Sequence, residues 1–203
     1  VRLLTAILKP HRGSVSLLFW LLFGLPSLLV GQQKYEREFR IKATEVPDAA
    51  LTFVQNLNVG ATPKWFREES LDGHTIEAKF KHQKQKYSIE FLPNGTLVDI
   101  EIETKFKNLP DSVQRTMLIE LSARYVKTHF QKIQVQHTGL KTGATLTKPE
   151  DIHEKNFTQL RYEVVLKAKT VKGWQWLQVT FAQNGSFIEA LEIVTRPTDN
   201  LEF

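Results

Sequence analysis

Cysteine is absent from the whole 203-residue chain. That excludes disulfides, thiolate zinc sites, iron–sulfur clusters and a cysteine nucleophile. Glycine is sparse, its ten residues standing singly, so no glycine-rich loop is present to cradle a phosphate. No H-E-x-x-H or other metal-ligand spacing appears, and no G-x-S-x-G. Long apolar runs are missing too. The one apolar stretch, LLFWLLFGLPSLLV from Leu17 to Val30, would make about 21 Å of helix against the ~30 Å hydrocarbon core. Pro26 would also break a stable span. An excess of one charge is lacking as well, with Lys+Arg 27 against Asp+Glu 22. What is present is 41% hydrophobic and 24% charged residues, enough for one or two packed domains and too apolar for disorder throughout.

The cations Arg2, Lys9 and Arg12 precede the apolar stretch, and Gly31 follows it. A basic start, a short apolar core and a small-residue exit form the pattern of a secretory signal peptide. Residues 1–31 are therefore expected to direct export, with no stable membrane insertion once they are cut away. What remains carries 24 cations against 22 anions. A near-neutral chain is a poor nucleic-acid binder, since that binding runs on clustered positive charge. Lys79, Lys81, Lys84 and Lys86 cluster between Glu77 and Glu90, which suits a solvated strand face and hairpin.

The rest of the chain reads twice. YSIEFLPNGTLVDIE from Tyr87 aligns without gaps on LQVTFAQNGSFIEAL from Leu177. Asn94-Gly95 falls on Asn184-Gly185, and Asn-Gly between alternating apolar runs predicts a type I′ hairpin. Upstream, EVPDAALTFVQNL and NLPDSVQRTMLIELSARYVKTHF each open on Pro-Asp. Proline suits a first helical turn, and aspartate favours the positive end of the helix dipole. Ala50, Phe53, Val54 and Leu57 then recur at helical spacing, as do Val113, Met117, Leu121, Arg124, Tyr125 and Thr128.

Strands are expected at Pro63–Leu71, Thr75–His82, Lys86–Leu92 and Thr96–Thr104. They recur at Gln131–Thr138, Gln159–Thr170, Gly173–Ala182 and Ser186–Thr195. A helix followed by four short-linked strands, twice over, predicts an α+β fold of two tandem units, each one helix packed on a four-stranded antiparallel meander. The expected organisation is signal 1–31, linker 32–43, first unit 44–106, second unit 107–196 and tail 197–203. The second unit carries an insert, 139–158, rich in Gly, Thr, Lys and Pro. A loop of that length is functional or mobile, and mobility is the expectation here.

These residues resemble the PepSY-like family of exported bacterial proteins, which is related in fold to the β-lactamase inhibitor protein and common in Bacteroidetes. The resemblance is carried by VPDAALTF, YSIEFLPNGTLVDIE, LPDSVQRTML, LRYEVVLKA and LQVTFAQNGSFIEALE, and spans most of residues 44–195. It implies a periplasmic or secreted, non-enzymatic protein. Thr96 and Ser186 stand where the family favours an acidic residue or glycine after Asn-Gly, and the long insert is a second departure.

Strand alternation sorts side chains to two faces. Ile100, Ile89, Val164 and Val179 fall on a face for the helices. Glu77, Glu90, Asp99, Glu101, Glu103, Arg161, Glu163 and Gln178 fall on a face expected to be open to water. Trp174 and Trp176 share the parity of Gln178 and Thr180, on that polar face. Two indoles there either anchor a protein or peptide partner or shield the sheet against the rest of the molecule. Trp174, Trp176, Gln178, Arg161 and Glu163 are accordingly the candidate binding residues. The functional expectation is an exported, non-enzymatic binding module that recognises a protein, peptide or envelope component on its open sheet faces, without cofactor or metal. The alternative is a carrier holding a lipid or cofactor in a cleft between the units. Glu101 and Glu103 are read as ordinary exposed strand acids and not as a catalytic pair, and the insert's Glu150, Asp151, His153 and Glu154 as a loop solvated by its own charges and not as a cation site.

Overall fold

A computed structural model describes residues 33–34, 36–71 and 73–193. The expected signal 1–31 and tail 197–203 lie outside them. The first unit runs α1 (Asp48–Asn56), β3 (Lys64–Ser70), β4 (Gly73–His82), β5 (Gln85–Phe91) and β6 (Leu97–Thr104). The second runs α2 (Asp111–Arg124), β7 (Lys127–Leu140), β8 (Phe157–Thr170), β9 (Gly173–Ala182) and β10 (Phe187–Ile193). This is the doubled helix-plus-meander order expected from sequence. Both helices begin immediately after their proline, Pro47 at φ −56° and Pro110 at φ −55°, with Asp48 and Asp111 in the first turn. α2 ends at Arg124, and Thr128 belongs to β7, not to the helical stripe.

Each helix covers its own core. Ala50, Val54 and Leu57 pack with Trp65, Ile89, Phe91 and Ile100. Val113, Met117 and Leu121 pack with Val164, Leu166, Val179 and Phe181. The insert does not float free of these cores. Leu146, Ile152 and Phe157 are buried in the first unit's cluster, and two short 3-10 turns, Pro149–Asp151 and Glu154–Asn156, shape the path between them. The expectation of mobility fails because three large apolar side chains from the second unit complete the core of the first.

The Asn-Gly hairpins differ from the expected type I′ turn. Gly95 N donates to Leu92 O at 2.8 Å, and Gly185 N to Ala182 O at 2.8 Å. Only the glycines, at φ +83° and +85°, enter the left-handed region. Each is a type I turn closed by a left-handed glycine, and each is followed by a bulge. Glu90 pairs with Asp99 but Phe91 with Leu97, and Glu189 pairs with Thr180 but Phe187 with Phe181. The bulge sends Leu97 into the core where simple alternation from Ile100 would send Val98. The two-residue turn with positive φ at both positions occurs instead at Gln83 and Lys84, +47° and +68°.

The units are not separate sheets. β6 pairs with β7 from Asp99↔Thr138 to Thr104↔Ile133, giving one sheet that, with β1 (Gln33–Lys34) and β2 (Glu36–Ile41) at its ends, is ordered β1-β10-β9-β8-β7-β6-β5-β4-β3-β2. Its ends are the unexpected part. β2 (Glu36–Ile41) lies in the expected linker yet pairs with β3 over its whole length. β1 (Gln33–Lys34) pairs in parallel with β10 at the other edge. One residue separates β1 from β2, so the two edges of the sheet lie within roughly 7 Å of each other there. Taken as halves of one N-terminal strand, β1 and β2 close nine strands into a ring.

Candidate binding surface and the enclosed acidic face

Closure changes what the polar face is. Glu77, Ser88, Asp99, Gln134, Gln178 and Thr180 are each exposed by 9% or less, and all lie opposite the helix-covered cores. The face expected to be open to water is folded in upon itself. Closed sheets of about this strand number hold an interior that side chains can fill.

Buried polar groups need partners, and amides supply them here. Gln136 Nε2 donates to Asp99 Oδ2 and to Glu163 Oε1, both at 2.9 Å. Gln178 Nε2 donates to Glu163 Oε2 at 2.5 Å, and Gln134 Nε2 to Glu101 Oε2 at 2.5 Å. Lys34 Nζ reaches in from β1 to donate to Gln178 Oε1 at 2.7 Å and pairs with Glu36 at 2.6 Å. Ser88 donates to Glu77. Burial, reinforced by Glu90 and Glu163, pushes Asp99 up to about 8. Burial, with Glu163 and Asp99 behind it, holds Glu101 well above the carboxylate range. Burial raises Glu163 also, against the pull of Lys34. Burial works against the charge on Lys34, but Glu36 and Glu163 outweigh it and keep the ammonium above its ordinary value. Desolvation and mutual repulsion thus both oppose ionisation of these carboxyls.

Of the five sequence-derived residues, the structure separates two from three. Trp174 pairs with Lys169 and Trp176 with Lys167, on the parity expected, at 43% and 39% exposure. Gln178 and Glu163 belong to the enclosed network. Arg161 lies further along β8, paired with Ala182. From Arg161 to Lys169 is eight residues of strand, about 26 Å, so the five do not form one patch. Glu101 and Glu103 part company as well: Glu101 joins the interior, and Glu103 accepts from Lys86 Nζ at 3.0 Å. In the insert, Asp151 accepts from Thr147 and Lys148, and Glu150 accepts from Gln83 at 2.6 Å and lies 2.7 Å from His82 Nε2. Those acids hold the insert in place.

The same end of the second unit carries further exposed apolar residues, those on α2 lying on the opposite side of the sheet from the indoles. α2 leads through Val126 into β7, and Val126 N donates to Lys169 O, the strand partner of Trp174. Val126 and Val171 are fully or largely exposed, and Leu118 and Ile119 project from the outer side of α2. An open groove of about 360 Å³ runs between Leu118, Ile119, Tyr125 and Val126. Lysines and a histidine surround this end. Lys167 sits 5.7 Å and 6.0 Å from the two indole centroids, His129 stacks on Trp174 at 5.3 Å, and Lys127, Lys169 and Lys172 are exposed. The available signal was in α2: Leu118 and Ile119 fall outside the Val113–Met117–Leu121 stripe, so one helix is apolar on two sides.

No sequence-family model matches the chain, and no curated protein matches it. Solved structures do. A DUF2874 family protein from Bacteroides ovatus matches with a TM-score of 0.50 at 12% identity, over 72% of this chain and 87% of that one. A BLIP-like protein from Bacteroides fragilis matches with a TM-score of 0.46 at 15% identity, over 76% and 91%. A DUF2874 family protein from Bacteroides uniformis matches with a TM-score of 0.48 at 12% identity, over 72% and 89%. At such identities the likeness is one of fold alone. Among the described residues, no helix is long and apolar enough to cross a membrane.

Proposed function

We propose that this chain is an exported, non-enzymatic binding module of the bacterial envelope, which recognises a protein partner through the end of its second unit. The observation that carries the reading is the pair of half-exposed indoles, Trp174 and Trp176, with Lys167 against both rings and His129 stacked on Trp174. Exposed large apolar side chains grouped at one end mark interaction surfaces more often than chance exposure does, and tryptophan is enriched among residues that dominate binding. The lysines around them favour a partner with an apolar centre and an acidic margin. Recognition on an open sheet face is not part of this reading, because Glu77, Asp99 and Gln178, all expected on that face, are buried. A carrier cleft between the units is the weaker reading, because β6 and β7 pair into one continuous sheet there.

The test compares the wild type with the double variant Trp174→Ala, Trp176→Ala as bait in cell-envelope extract, with cross-linking to locate the contact. The reading expects a protein cross-linked to the α2–β9 end of the wild type and lost from the variant, with weaker capture at high salt. It also expects urea stability to drop by no more than about 1 kcal/mol. A drop of about 3–5 kcal/mol, the range for truncated core aromatics, would make the indoles structural and overturn the assignment. Equal capture by both forms would do the same.

A further inference from the structure

The N-terminal strand closes the sheet, yet its grip on β3 sets like charges against each other. Glu38 on β2 stands opposite Glu68 on β3, and Glu77 on β4 lies diagonally beside them. One carboxylate oxygen from each falls within 4.8 Å of the others. Lys79 is the ammonium among them, 2.6 Å from Glu38 and 3.0 Å from Glu77. Glu36 on β2, Glu90 on β5 and Lys34 on β1 complete the charges acting on Glu68. Like charges directly across a strand pair are destabilising, and burial raises the cost. A proton on Glu68 removes one charge and supplies an O–H donor among acceptors.

We propose that protonated Glu68 is a latch holding the N-terminal strand Glu36–Ile41 on β3, and that loss of this proton frees the strand and uncovers the β3 edge and the acid-lined face behind it. Burial, then Glu36, Glu77 and Glu90, pushes the Glu68 carboxyl up to about 9 while the strand is in place, so the latch is shut in neutral solution. With the strand released, Glu68 gains water and loses Glu36, and its carboxyl moves back toward the ordinary carboxylate range. Between those limits each pH unit multiplies the ratio of released to latched strand by about ten. Above about 9 the ratio levels off. The device opens with alkali and shuts with acid. It is independent of the tryptophan surface, and neither reading falls with the other.

Amide hydrogen exchange of the full chain from pH 6 to 10, corrected for the intrinsic rate, tests it. Protection at Glu36–Ile41 should fall about tenfold per pH unit up to about pH 9, through an opening that leaves the central strand β8 more protected than β2 at every pH. Glu68→Gln, which cannot ionise, should hold β2 protection flat across the range. Glu36→Gln with Glu38→Gln removes the opposing charges from β2 and leaves Glu68 intact; its total loss should be at least tenfold smaller than that of the wild type. The second variant keeps the test decisive if the first fails to fold. Wild-type protection that stays flat from pH 6 to 9, or variants that fall in step with the wild type, would overturn the latch.

Discussion

At the scale of single residues, the two Asn-Gly glycines do more than turn the chain. A Cβ on Gly95 would lie 2.8 Å from Ala49 Cβ and 3.2 Å from Ala50 N, and one on Gly185 would lie 2.8 Å from Val113 O. Each hairpin is wedged under the first turn of its own unit's helix, so both the left-handed φ and the missing side chain are required. Gly143 also has a left-handed φ, +82°, but open space around it. Gly185→Ala should therefore cost about 2–4 kcal/mol from strain and overpacking together, and Gly143→Ala about 1 kcal/mol from backbone alone. Urea unfolding of the two variants separates these, and equal costs would mean that the close approach to α2 is not a constraint.

Elements show where the two units depend on each other. The insert belongs by sequence to the second unit, but Leu146, Ile152 and Phe157 serve the first unit's core. His82, 2.7 Å from Glu150, ties the insert to the β4–β5 hairpin. Phe157 is 3% exposed and its ring lies 5.2 Å from that of His137. Phe157→Ala should lower stability by about 3–5 kcal/mol, measured as a shift of the urea midpoint at unchanged slope. A solvated loop would lose no more than about 0.5 kcal/mol from the same change.

At the largest scale, the described strands close around buried acids, and stability should follow pH in an unusual direction. Asp99, held up to about 8 in the fold, ionises near 4 when unfolded. A carboxyl raised on folding contributes fully below its unfolded value, and that contribution is lost as pH rises toward the folded value. Between pH 6 and pH 8 Asp99 alone should remove about 2–3 kcal/mol, a fall in Tm of roughly 5 °C or more. Calorimetry should record this fall in the wild type and a shallower one in Asp99→Asn. Tm values that do not fall over this interval would mean that water reaches the face.

Much of this architecture was legible in residues close together along the chain. Pro47-Asp48 and Pro110-Asp111 announce the helix starts, Asn94-Gly95 and Asn184-Gly185 announce the hairpins, and alternation places Trp174 and Trp176 on the side opposite Val179. Such signals depend on neighbours within one turn or one strand, so sequence alone determines them. The turn subtype and the bulges at Phe91 and Phe187 escaped, because they answer to the helix pressed against each glycine. Lys34, Glu38 and Glu68 escaped for a deeper reason. Their roles depend on β1 meeting β10 while β2 meets β3, contacts between distant parts of the chain that no local period records. The same closure turned a row of ordinary acids, one or two per strand, from a wet surface into an enclosed one. Sequence supplied those carboxyls, but only the tertiary structure took them out of water, and desolvation decides whether they carry protons or charge.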